Sequence, residues 1–264
     1  MPNRRHVLTL AASAAVAISM PAFAVGGLVA LELVDRSRGE TLPTYTHRGT
    51  AWVAGLPGSR YAVRLTNRSG ARVLVVLSVD GVNAISGETA ATGQTGYVLE
   101  PWQTTEITGW RKNLSEAAAF YFTALPDSYA ARTDRPDNVG VIGVAVFRER
   151  ERERELLMRR PSEAEPRVAQ GSADRERAAE SAAAPAPSAK AAARDERLGT
   201  GHGEREFAPA TQTRFERASD RPAEVVRVRY DSFENLLAAG VVARPRRGPA
   251  MPEPFPGFVP DPKG

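Results

Sequence analysis

The stretch Val73 to Ile85, VLVVLSVDGVNAI, limits what this chain can fold into more than any other. Two apolar runs flank a single Asp80-Gly81 dipeptide. Such a pair between apolar runs signals a two-residue β-hairpin, because both turn positions need positive φ. Val73 to Val79 is apolar on both faces, as expected of a strand covered on both sides. Asp80 and Asn83 also offer oxygens to calcium or a sugar. The further acidic oxygens that an EF-hand needs at fixed spacing are missing, and the turn accounts for the same residues.

The rest of Leu28 to Phe147 reads as short β runs separated by turn residues. In Arg60 to Thr66, Tyr61, Val63 and Leu65 alternate with polar or small residues, so this strand is half exposed. Asn67 to Gly70 makes a turn, and Gly87 to Gly96 is small and polar, hence a loop. Tyr97–Glu100, Thr104–Trp110, Ala118–Thr123 and Val139–Phe147 are further strands, with Thr44–His47 and Thr50–Ala54 weaker candidates. Ala117, Ala118 and Ala119 make a short helix the rival reading of Glu116 to Phe122. Gly140 and Gly143 are expected to mark a bulge or close backbone packing. The pattern predicts a mainly β fold, an antiparallel β-sandwich or a partly closed barrel, over 25–147.

Both ends and one interior stretch differ from this body. Met1 to Ala24 has the order of an export signal: Arg4-Arg5, an Ala-rich apolar run, then Ala22-Phe23-Ala24. The paired arginines also loosely fit the twin-arginine route. A periplasmic or secreted location follows, with no transmembrane anchor after cleavage. The chain has no cysteine, so no disulfide, lipidated cysteine or thiolate chemistry is available. From Arg148 to Glu155, Arg and Glu alternate without exception, and from Leu156 to Gly199 there is no aromatic residue. Residues 148–200 are therefore expected to be a disordered charged and Ala/Pro linker. Beyond it, Thr211–Ala218 reads as a strand, and Val226, Val228 and Tyr230 alternate with Arg227 and Arg229. Asp231 is placed to cap a short helix that carries Leu236 and Leu237 and ends at Gly240. This strand–helix unit, 201–243, is too small to stand alone and is expected to dock on the β domain, extending a sheet edge. A Pro-rich tail occupies 244–264.

LSVDGVNAISG (77–87), GYVLEP (96–101), ITGWRK (107–112) and NVGVIGVAVF (138–147) together resemble a family of bacterial exported, periplasmic proteins with no assigned activity. GTGHGERE (199–206) and YDSFENLLAAGV (230–241) are similar to its C-terminal part. The resemblance implies an envelope protein and transfers no catalytic residue.

The overall charge of +4 is misleading as a guide to partners. Residues 25–147 hold 11 Lys+Arg against 11 Asp+Glu. No basic face is concentrated, and nucleic acid is not an expected partner. Of the places where chemistry could sit, the loop from Asp127 to Asn138 stands out. It gathers Asp127, Tyr129, Arg132, Asp134, Arg135 and Asp137 between two strands, and such rigidly held loops carry binding residues. Trp102, Trp110, Arg111 and Lys112 could form an aromatic platform with a cationic partner, or could pack, with Tyr97, Trp102 and Trp110 closing one end of the sandwich. His47 and His202 are the histidines beyond the signal, and no strained nucleophile turn accompanies them. Trp110, Arg111, Asp127, Tyr129, Arg132 and Asp134 are the expected ligand-binding residues; no catalytic, metal or cofactor site is expected. The chain reads as a non-enzymatic envelope module for a protein or glycan partner. The alternative is a cell-wall or peptide hydrolase using His202 with an acidic residue such as Asp127 or Asp134.

Overall fold

The computed structural model describes residues 25–150 and 197–243. The expected signal, most of the expected linker and the Pro-rich tail lie outside the described residues. In chain order the first strands are β1 (Val29–Asp35), β2 (Glu40–Thr41), β3 (Thr44–His47), β4 (Thr50–Gly55) and β5 (Tyr61–Asn67). Then follow β6 (Val73–Val79), β7 (Val82–Asn83), β8 (Tyr97–Leu99), β9 (Thr104–Ile107), β10 (Gly109–Arg111) and β11 (Glu116–Ala124). The last elements are α1 (Tyr129–Arg132), β12 (Val141–Arg148), β13 (Leu198–Phe207), β14 (Glu224–Ser232) and α2 (Phe233–Ala238).

The strands form three sheets, ordered β2-β1-β5-β9, β10-β11-β13 and β3-β4-β14-β12-β6-β7, with β8 pairing β6. The pairs are antiparallel except β14 with β4. One core joins the three sheets, with Leu31 and Val63 from the first, Trp110 and Phe120 from the second, and Val75 and Ile142 from the third. The fold is mainly β, built of several antiparallel sheets, with no closed barrel among the described residues. No helix of the described residues is long and apolar enough to cross a membrane.

The hairpin forms as its residues require. Ser78 pairs with Asn83 and Val79 with Val82, and Asp80 and Gly81 both have positive φ, 53° and 76°. At Gly81 a Cβ would also lie 2.8 Å from the Asn138 side chain. Six of the seven residues of β6 are buried, since the strand has cover on both faces.

Several expectations change. Thr104–Trp110 is two strands rather than one: β9 pairs β5, and after Thr108 the chain passes to another sheet, where β10 pairs β11. The helical rival for 116–122 loses to β11, whose Ala117, Ala118 and Ala119 are buried beside β10 and β13. Small side chains fit that confined sheet, and tertiary packing overrides alanine's helix propensity. Ser232, one residue after Asp231, caps α2: its hydroxyl accepts from Asn235 N at 3.2 Å. Asp231 instead accepts from Leu198 N at 3.1 Å and Asn235 Nδ2 at 2.9 Å, tying α2 to β13. Thr211–Ala218 forms no strand; it crosses the outer face of the large sheet and sets Phe215 against Leu74, Val76, Ala145 and Phe147. Trp102 is 68 % exposed and precedes β9, so it does not join Trp110 in closing an end.

The largest change concerns the C-terminal unit. It does not extend an edge: β14 lies between β4 and β12, inside the large sheet. Its alternation is as read, with Val226, Val228 and Tyr230 buried and Arg227 and Arg229 exposed. β13 begins at Leu198, ahead of the expected boundary at 201, with Leu198, Gly199 and Thr200 buried. The segment from Leu198 to Tyr230 contributes to the core itself.

Candidate functional site

Two polar clusters lie near the Gly81 end of β6, and their chemistry is opposite. The first is built on the hairpin. Asp80 Oδ1 accepts from the Tyr230 hydroxyl at 2.6 Å and from Gly140 N at 2.9 Å; Oδ2 accepts from Thr200 N at 2.7 Å. The Thr200 hydroxyl continues the chain to Tyr230 at 2.6 Å and to Tyr61 at 2.7 Å. Asp80, Thr200 and Tyr61 are 0 % exposed and Tyr230 is 1 %. Burial pushes the Asp80 carboxyl up to about 6, against the hydrogen bonds from Tyr230, Thr200 and Gly140, which favour the charged form. Burial likewise holds the Tyr61 and Tyr230 hydroxyls well above their ordinary value, and the Asp80 charge adds to it. Every partner is matched and no member meets solvent. This cluster bolts the hairpin turn to β13 and β14, which is a structural task.

The second cluster centres on Tyr129. Ser128 starts α1: its hydroxyl accepts from Ala131 N at 3.2 Å and donates to the Leu125 carbonyl at 2.7 Å. Tyr129, the first helical residue, is thereby set against Trp110 of β10 and His202 of β13. Those two strands flank β11, with Trp110 opposite Ala118 and His202 opposite Phe120. Ring centroids lie 4.8 Å apart for Trp110 and Tyr129, 5.3 Å for Tyr129 and His202, and 6.1 Å for Trp110 and His202. Trp110 is 1 % exposed, so it supports Tyr129 from beneath and offers no face to a ligand. Tyr129 and His202 are partly exposed.

Cations surround these rings. Lys112 Nζ lies 5.8 Å and the Arg135 guanidinium 5.9 Å from the Tyr129 ring centroid, within cation–π range. The His202 imidazole is held below its usual value by burial first, then by the charges of Lys112, Arg132 and Arg205. Lys112 is itself lowered, by burial and by Arg205. Among the described residues Arg205 has one carboxylate partner, Glu116 at 3.6 Å, while Lys112, Arg132 and Arg135 pair with none. Like charges gathered without counter-ions cost free energy, and an anion arriving from outside would recover it.

Of the expected ligand-binding residues, the structure brings Tyr129, Arg132 and the supporting Trp110 together. Arg111 points elsewhere and donates to the Ala208 carbonyl. Asp127 and Asp134 are exposed, and among the described residues their carboxylates form no hydrogen bond or ion pair. The Asp127–Asn138 connection is two short 3-10 turns around α1 rather than an open loop. His202 sits in β13, and the charged groups acting on it are cations. A base held by a carboxylate is therefore not assembled there among the described residues. Lys112, Arg135 and Arg205 complete the ring of charge. Their convergence depends on the pairing of β11 with β13, which the run GTGHGE conceals.

No protein-family model matches the chain, and neither a curated protein nor a solved structure does.

Proposed function

We propose that the protein is an exported, non-enzymatic envelope module that binds an acidic partner, protein or glycan, at the Tyr129 cluster. The observation that carries this reading is the set of Lys112, Arg132 and Arg135 around Tyr129 and His202, with no carboxylate paired to them among the described residues. Tyr129 holds two of these cations over its ring, so recognition runs through their charge. The export signal read from Met1 to Ala24, and the resemblance to periplasmic proteins, support the location. A pull-down from envelope extract tests the reading, comparing the chain from Val25 onward with its Lys112→Glu/Arg132→Glu variant. Partners retained by the first and lost by the second are expected. Equal retention by both would remove the cluster from the binding surface.

A further inference from the structure

The outer face of the seven-stranded sheet carries an independent site. Part of that face is covered: Leu74, Val76, Ala145 and Phe147 pack with Val98 and Phe215, and Arg217 lies 4.1 Å over the Phe147 ring. The cover stops short of one row. Register places Ser78 of β6, Gly143 of β12 and Arg227 of β14 side by side, and above them a trough of about 290 Å³ opens. Thr89 to Thr92 form one wall. That wall is pre-formed, because Ala90 N donates to the Gly81 carbonyl at 2.8 Å and Arg217 Nη1 to the Thr92 carbonyl at 3.1 Å.

Gly143 is the informative residue. A glycine inside a strand gives up β propensity and packing, and usually marks a bulge or a close approach. Neither applies here. The β6–β12 and β12–β14 registers run unbroken through Gly143, its φ is not positive, and an added Cβ would meet nothing nearer than the Val226 carbonyl oxygen at 3.8 Å. The fold does not ask for glycine at this position, but an open trough does. Beside it Val225 remains 47 % exposed, and the Arg227 guanidinium has no hydrogen-bond or ion-pair partner among the described residues.

We infer that this trough binds a small apolar carboxylic acid. The hydrocarbon lies along Val141, Gly143 and Val225, and the carboxylate pairs with Arg227, whose planar fork suits it. Removal of apolar surface from water on both sides supplies the remaining attraction. The inference rests on residues separate from the Tyr129 cluster and stands or falls without it.

Amide NMR titration of the chain from Val25 onward with octanoate tests it, with octanamide as the uncharged control. Shifts confined to Ser78, Thr89–Thr92, Gly143 and Arg227 are expected. Arg227→Gln, an exposed change that spares the core, should weaken octanoate about tenfold, and octanamide should bind about tenfold more weakly than octanoate. Gly143→Val should fill the trough and abolish the shifts while unfolding at nearly the same temperature. Should that variant fail to fold, Arg227→Gln alone decides. Octanoate shifts elsewhere, none at all, or affinity unchanged by Arg227→Gln would overturn the assignment.

Discussion

The Asp80 and Tyr129 clusters share β13, which supplies Thr200 to one and His202 to the other, yet they resolve their charges in opposite ways. Around Asp80 one carboxyl is fully buried and meets a donor at each oxygen. Around Tyr129 several cations stand partly in solvent and lack acids among the described residues. A polar group whose needs are all met inside the fold has spent its interactions on stability, whereas charges left unmet at the surface are available to a partner.

The sharpest way to break this contrast is Asp80→Ala. Three buried donors, from Tyr230, Thr200 and Gly140, would lose their acceptor, and β14 would lose its tie to the hairpin. The expected loss is on the order of 4 kcal/mol in urea unfolding. A loss below about 1 kcal/mol would mean that the cluster is not a structural bolt.

A second effect concerns pH. The folded Asp80 carboxyl titrates near 6, above its value in the unfolded chain, so the folded state holds this proton more tightly. Its contribution is fully present below the unfolded pKa and is lost as pH rises through the folded one. Stability should fall by about 2 to 3 kcal/mol between roughly pH 4 and pH 7 from this group alone. Asp80→Asn, which cannot titrate, should lack that slope; equal slopes in both proteins would contradict the assignment.

Smaller effects on stability are expected at the other cluster. Lys112→Gln/Arg132→Gln should leave the unfolding temperature within about 2 °C, since neither side chain has a charged partner to lose. The same change should raise the His202 pKa toward the free imidazole value, read by proton NMR, because two of the charges that depress it are gone. An unmoved His202 would place those cations too far away to matter.

The two clusters were also unequally legible in the sequence. Asp80-Gly81 announced the turn, because apolar runs around such a dipeptide leave few other local structures. Its burial was hidden, since Thr200 and Tyr230 lie 120 and 150 residues further along the chain, and no local pattern encodes such a contact. Tyr129 and Arg132 stood out by being concentrated in one connection. Their partner His202 did not, because Gly-Thr-Gly-His-Gly reads as a loop. In the fold these glycines serve packing: a Cβ on Gly203 would lie 2.8 Å from the Ala119 carbonyl oxygen of β11, and one on Gly201 would meet the Tyr121 ring that lies across β13. The alternation of Val226, Val228 and Tyr230 identified β14 as a strand with one buried face. It could not distinguish an edge from the interior position between β4 and β12, since that depends on which strands flank it.

The most direct test of the contrast is calorimetric titration with two acidic polymers, polyglutamate and polygalacturonate, against neutral dextran. Three proteins are compared: the chain from Val25 onward, its Lys112→Gln/Arg132→Gln variant and its Asp80→Asn variant. An acidic polymer is expected to bind the first, with affinity falling as salt is added. Binding should be lost in the second and kept in the folded fraction of the third, while dextran binds none. Binding that survives the loss of Lys112 and Arg132, or that vanishes with Asp80→Asn in the folded protein, would contradict it.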